Sequence, residues 1–164
     1  KEISSNQDRI NQLDAVFSIW GKIAPGQASA DFAFQDLNGK VYTLADFAGK
    51  YLYIDVWATW CGPCIREIPH LNKLKDNMKG RNIDIVAISV DDKRSTWEQY
   101  VKTNNLGGIQ LYADGSWNNE FIQFYMITGI PRFILLDKEG KIIDSNAQRP
   151  SGGVESYLLQ LEGI

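Results

Sequence analysis

Cysteine and histidine are scarce in this chain of 164 residues, which holds two cysteines, Cys61 and Cys64, and one histidine, His70. A disulfide-stapled miniature fold is excluded, because a chain of this length buries roughly 70% of its unfolded surface without such help. A zinc site needs four ligands, or three and a water. Two cysteines with His70 six residues after Cys64 leave that set incomplete, so no metal is expected. Basic charge is also lacking. Seventeen lysines and arginines face 20 acids, a net charge of -3, which argues against a nucleic-acid-binding face. No apolar run approaches the roughly 18 residues of a membrane-spanning helix. Internal repeats and low-complexity segments are absent. The chain begins at Lys1 and not at methionine, as expected of a mature product or an excised piece whose leader, membrane tether or larger parent chain lies outside it.

What is present is an ordinary globular composition, 44% hydrophobic and 12% aromatic, at a length that suits one domain. The centre of the chain is Tyr51 to Leu74, reading YLYIDVWATWCGPCIREIPHLNKL. Tyr51 to Val56 is an apolar run that reads as a buried strand. After Trp57-Ala58-Thr59-Trp60 come Cys61-Gly62-Pro63-Cys64. From there Cys64, Ile65, Ile68, Leu71 and Leu74 recur at helical spacing. Both cysteines therefore sit where a strand ends and a helix begins. Open α/β sheets place their sites at that edge, and a helix N-terminus stabilises a thiolate.

Taken in order, the spacing of Ile10, Leu13, Phe17 and Trp20 predicts a helix over about residues 5–20, ended by Gly21 and Pro25-Gly26. It is expected either to pack on the domain edge or to serve as a linker. Alternation about Asn38-Gly39 predicts a hairpin within residues 31–45. Ile83 to Val90 reads as a second buried strand, stopped by Asp91-Asp92. A helix over Ser95 to Thr103, a strand over Ile109 to Tyr112 and a helix over Asn118 to Tyr125 follow. Arg132 to Leu136 then turns at Asp137-Gly140 into Lys141 to Asp144. Val154 to Leu161 closes the chain as a helix with Tyr157, Leu158 and Leu161 inward. The expected class is α/β. A mixed sheet is flanked by helices on both faces, with an N-terminal hairpin and a central βα insertion. The expected division is 1–23 as N-terminal helix or linker and 24–164 as the domain.

A disulfide across two intervening residues constrains the unfolded chain little, so the cysteine pair reads as chemical. Free backbone N–H groups at the first helical turn favour a Cys61 thiolate, and Pro63 suits a place where N–H groups lack helix partners. Cys64, one turn further in, is expected to be the more covered sulfur. Cys61 then attacks a substrate disulfide, and Cys64 attacks Cys61 to release the reduced product. Cys64 needs a proton acceptor. Asp55, on an apolar strand, is expected to be buried with its pKa raised toward neutrality. Glu67 follows Cys64 by three residues on the same helical face. The alternatives are an Asp55 turned to water and a solvated Glu67. Pro69 interrupts the helix backbone and is expected to kink it. Ile130-Pro131 opens a strand as a cis peptide or a trans turn; facing the cysteines, it would offer backbone to a substrate chain. Trp57 reads as core and Trp60 as an exposed apolar rim. Trp60, Gly62, Pro63, Ile130 and Pro131 make up the expected substrate-binding set.

The string WATWCGPC with the later GIP resembles the thioredoxin superfamily. Over about residues 24–145 the match extends to DFAFQDLNGKVYTLADFAGK before it and GIPRFILLDKEGKI after it. That longer pattern resembles the TlpA/ResA-type thiol-disulfide oxidoreductases, with a redoxin lead-in of the AhpC/TSA kind. The resemblance implies a thioredoxin-like fold, a nucleophilic Cys61, a resolving Cys64, a buried acid at Asp55, an active-site Glu67 and a cis-proline at Pro131. It also implies a redox-active disulfide in place of a cofactor, protein disulfides as substrates with an upstream thiol reductant, and a bacterial cell-envelope or periplasmic location. A monomer is expected. Two departures stand out. Ala30 replaces a frequent proline, and Ile83 to Val90 lacks the lysine that partners the buried acid in thioredoxins. Thiol peroxidase, metal chaperone and redox-inactive adaptor remain as rivals. The peroxidase is disfavoured, because Thr59 stands only two residues before Cys61.

Overall fold

The computed structural model describes residues 2–164, with side chains from Asn6 onward. In chain order the elements are α1 (Glu2–Gly21), β1 (Ala33–Gln35), β2 (Val41–Thr43), β3 (Tyr51–Trp57), α2 (Gly62–Asn77) and β4 (Ile83–Ser89). Then come α3 (Arg94–Thr103), β5 (Ile109–Tyr112), α4 (Glu120–Phe124), β6 (Arg132–Leu136), β7 (Ile142–Asp144) and α5 (Val154–Leu158). The strands form one mixed sheet ordered β2-β1-β5-β4-β3-β6-β7. The apolar, β-branched runs occupy its centre. β3 is parallel to β4, and β4 to β5. α2 and α3 make the two crossovers that such parallel pairs require. β6 lies antiparallel to β3 with Val56 opposite Arg132, and the β1–β2 hairpin and β7 close the antiparallel edges.

The two-residue period of β3 sorts the core. Leu52, Ile54 and Val56 face Trp97 and Val101 of α3 and Phe121 and Ile122 of α4. Tyr51 and Tyr53 face Leu71 and Leu74 of α2 and Val154 and Leu158 of α5. Helices thus cover both faces, as the sequence pattern predicts. The tight turns follow from local chemistry. Asp36 Oδ1 accepts from the N–H groups of Asn38 and Lys40 (2.8 and 2.9 Å), and Gly39 takes the left-handed φ of 81° that the turn needs.

Several elements differ from expectation. α1 does not pack on the domain edge; its side chains from Asn6 to Trp20 are exposed, with Phe17 at 70% and Trp20 at 56%. Burial begins at Ile23. α4 starts later, at Glu120, because the Asn119 side chain caps it by accepting from the Phe121 N–H (2.9 Å). α5 ends at Leu158. Its short span puts Val154 and Leu158, four apart, on the inner face and leaves Tyr157 exposed.

Candidate functional site

β3 delivers the chain to the site. Past Trp57 the segment Ala58-Thr59-Trp60 turns into Cys61, the N-cap residue of α2 with extended φ -88° and ψ 99°. Cys61 and Cys64 are joined as a disulfide. The Cys64 N–H donates to Cys61 Sγ at 3.2 Å, so a first-turn backbone donor points at this sulfur, as a thiolate there would require. The expected exposure difference is not present in the oxidised state. Cys61 is 4% and Cys64 2% exposed, because both sulfurs lie within the same apolar cluster, against which Ile130 and Trp117 also pack. The asymmetry lies in the hydrogen bond. Pro63 occupies the first helical turn, as predicted. A Cβ on Gly62 would meet only Arg66 Nη1, at 3.6 Å, so sterics do not demand glycine there.

The Ile130-Pro131 peptide is cis. With Val56 opposite Arg132, this dipeptide lies beside the end of β3, and Ile130 packs against the apolar cluster that holds both cysteines. Trp57 is buried, as expected, and Trp60 is 60% exposed. Trp60 has a partner that sequence reasoning missed. Its ring centroid is 6.3 Å from that of Trp117, on the Ser116–Asn118 turn.

Asp55 sits on β3 between Ala87 of β4 and Phe133 of β6, buried to 4% exposure. Burial pushes its carboxyl from 3.8 to about 7; Lys75 opposes this and Glu67 adds to it. Lys75 was also missed. β4 carries no lysine; the cation that acts on Asp55 comes from α2, where Lys75 continues the inward row of Cys64, Ile68 and Leu71. Burial lowers the Lys75 pKa and Asp55 opposes that, while its Nζ donates to Gly107 O at 3.2 Å. Asp55, Trp57, Lys75 and Gln110 line a cavity of about 20 Å³. Among the described residues, four buried side-chain polar atoms lack a protein partner, and three of them, Asp55 Oδ1, Trp57 Nε1 and Gln110 Oε1, belong to residues of this lining.

Glu67 is buried, not solvated. Its two oxygens accept from the Ser151 N–H (3.1 Å) and the Ser151 hydroxyl (2.5 Å), which ties α2 to the Pro150–Gly152 turn. Asp91, read from sequence only as a strand terminator, holds the loop before Cys61. Its carboxylate accepts from the Thr59 N–H (3.1 Å), the Thr59 hydroxyl (2.6 Å) and the Ser89 hydroxyl (2.7 Å).

Comparison with known proteins agrees with this geometry. The redoxin family model matches residues 24–160. The thiol-disulfide oxidoreductase ResA of Bacillus cereus is 31% identical over 146 residues, 88% of this chain and 83% of the relative. A crystal structure from Bacteroides vulgatus superposes with a TM-score of 0.77 at 38% identity, covering 84% of this chain and 96% of the other. The thioredoxin domain of a thiol-disulfide oxidoreductase from the same organism gives 0.72 at 29%, over 83% and 94%. The family match and the ResA relative, together with a Cys61–Cys64 disulfide at a strand-to-helix junction, make the chain a member of the redoxin family within the thioredoxin superfamily and a ResA-like thiol-disulfide oxidoreductase.

Proposed function

We propose that this oxidoreductase works as a reductase of protein disulfides, supplied with electrons by an upstream thiol and placed in the envelope of a bacterial cell. The observation that supports the direction of attack is the position of Cys61 Sγ, at the N-cap of α2 and accepting the Cys64 N–H. In the reduced protein the Cys61 thiolate attacks a substrate disulfide. A Cys61–substrate bond forms, the substrate S–S bond breaks, and the leaving thiolate takes a proton from solvent. Cys64 gives its proton to the Asp55 carboxylate and attacks Cys61 Sγ. The Cys61–Cys64 disulfide re-forms and the second substrate thiol leaves, two electrons having passed to the substrate. Ile130 and Pro131 hold the substrate backbone, and Trp60, Gly62 and Pro63 border it. Glu67, tied to Ser151, keeps α2 in place beneath Cys64. The envelope location rests on the likeness to ResA, and among the described residues no helix is long and apolar enough to cross a membrane.

The test is reduction of insulin with dithiothreitol as electron source, comparing the protein with its Cys61→Ser variant. The wild type is expected to accelerate reduction clearly. Equal rates for the two would sink the reductase reading and leave the adaptor. Consumption of hydrogen peroxide that needs Cys61 but not Cys64 would point to a peroxidase instead.

A further inference from the structure

Trp60, next in sequence to Cys61, pairs with Trp117 from a distant part of the chain, and both are held from one buried anchor. Trp60 directly follows Thr59, whose N–H and hydroxyl donate to Asp91. Trp117 directly follows Ser116, whose hydroxyl donates to the Val90 carbonyl at 2.5 Å. Ser89, Val90 and Asp91 are consecutive at the end of β4, and the Ser89 hydroxyl closes the set on Asp91 Oδ2. The turn carrying Trp117 is costly. Ser116 sits at a left-handed φ of 52° without being glycine. Its hydroxyl bond, and the Gln123 Nε2 bond to the Trp117 carbonyl (2.7 Å), offset that cost. The outcome is a pair of indoles 6.3 Å apart between centroids and tilted by 40°, with Trp60 60% exposed next to Cys61. Such a pair presents both a ring face and a ring edge to an incoming side chain.

We propose that Trp60 and Trp117 form a docking platform selecting substrate disulfides whose cysteine is flanked by an aromatic or bulky apolar residue. This rests on the disulfide-reductase reading above and names the substrate class of that same site. The platform is continuous with the attacking sulfur, so the occupant is the substrate segment beside the cysteine under attack. The flanking side chain packs on the indoles as Cys61 bonds to the substrate sulfur and the substrate S–S bond breaks.

The test uses the fully reduced protein in single turnover with two synthetic peptides. Each is closed by one disulfide, and they are identical except that phenylalanine or serine follows the first cysteine. Rates are read by acid quench and chromatography and divided by the rate of each peptide with dithiothreitol alone. The wild type is expected to prefer the phenylalanine peptide about tenfold. W60A and W117A each bring the ratio to within about twofold, and W117F keeps most of the preference because a ring still packs on Trp60. Trp60 is largely exposed, so W60A stays testable if W117A folds poorly. The double variant loses no more preference than either single one, since each ring acts only through the pair. Equal normalised rates for the two peptides in wild type, or full preference retained in W117A, would overturn the platform while leaving the oxidoreductase reading intact. A reduced wild type that reduces neither peptide would overturn both.

Discussion

Asp55→Asn is expected to stabilise the oxidised protein at neutral pH and to lose that advantage in acid. The folded carboxyl titrates at about 7, chiefly because of burial, against an ordinary 3.8. Below about pH 4 both folded and unfolded chains hold the proton, and ionisation of Asp55 has no effect on stability. Between about pH 4 and 7 the unfolded chain has released it while the folded chain keeps it, so wild-type stability falls as pH rises through this window. Above about pH 7 the loss is complete. At 1.36 kcal/mol for each pKa unit, the gap between the two values sets a ceiling of about 4 kcal/mol. Lys75 trims that figure. It attracts the Asp55 carboxylate, and in the variant its half-buried ammonium keeps only the Gly107 carbonyl. The net gain should therefore be about 2–4 kcal/mol at pH 8 and under about 1 kcal/mol at pH 4. Guanidinium unfolding with the disulfide intact reads this directly, because neither cysteine then titrates. Of the neighbours that act on Asp55, Glu67 is retained in both proteins, and Tyr53 is pushed far above its usual range by burial. A stability difference that does not change with pH, or a variant less stable than wild type at pH 8, would refute the reasoning.

Lys75→Met removes the charge that lowers the Asp55 pKa. The pH midpoint for Cys64 resolution should then move up, seen as a longer-lived mixed disulfide at Cys61 near pH 7 and an unchanged lifetime at pH 9. Removal of residues 1–20 should shift the melting temperature of the domain by less than about 2 °C, since the described α1 side chains bury nothing; a larger drop on calorimetry would mean that α1 docks in solution.

What was legible in the sequence was local. The run from Tyr51 to Val56, the change to helical period after Cys64 and the Cys-Gly-Pro-Cys string are each contained within about two dozen residues, and all three appear in place. Burial of Asp55 followed from a carboxylate on an apolar strand. The rest depends on partners remote in sequence. Thr59 meets Asp91 across 32 positions, and Glu67 meets Ser151 across 84. No periodicity announces either bond. Trp117 gave no signal, because an aromatic in a turn reads as core until a neighbour such as Trp60 is placed. Lys75 was within reach, for the register of Cys64, Ile68 and Leu71 continues to it; lysine's preference for solvent hid the inward position. For α1 the spacing announced a helix but could not say whether a surface remained for its apolar side to cover.

The two acids near Cys64 are not equivalent, and the reason is in their partners. Glu67 has a donor for each oxygen, both from Ser151. Losing either bond would leave a buried oxygen unsatisfied. Asp55 has no protein donor for Oδ1, borders a small cavity and depends on the Lys75 charge for its ionised form. A proton arriving on Asp55 breaks no hydrogen bond to Oδ1 and removes a buried charge. In the proposed cycle the Cys64 proton therefore goes to Asp55, on the central strand, while the Ser151 bonds of Glu67 tie α2 to the Pro150–Gly152 turn. Burial sets the Asp55 value near 7 and Lys75 keeps it from rising further, which in the proposed cycle poises the acceptor near neutral pH with no lysine on β4.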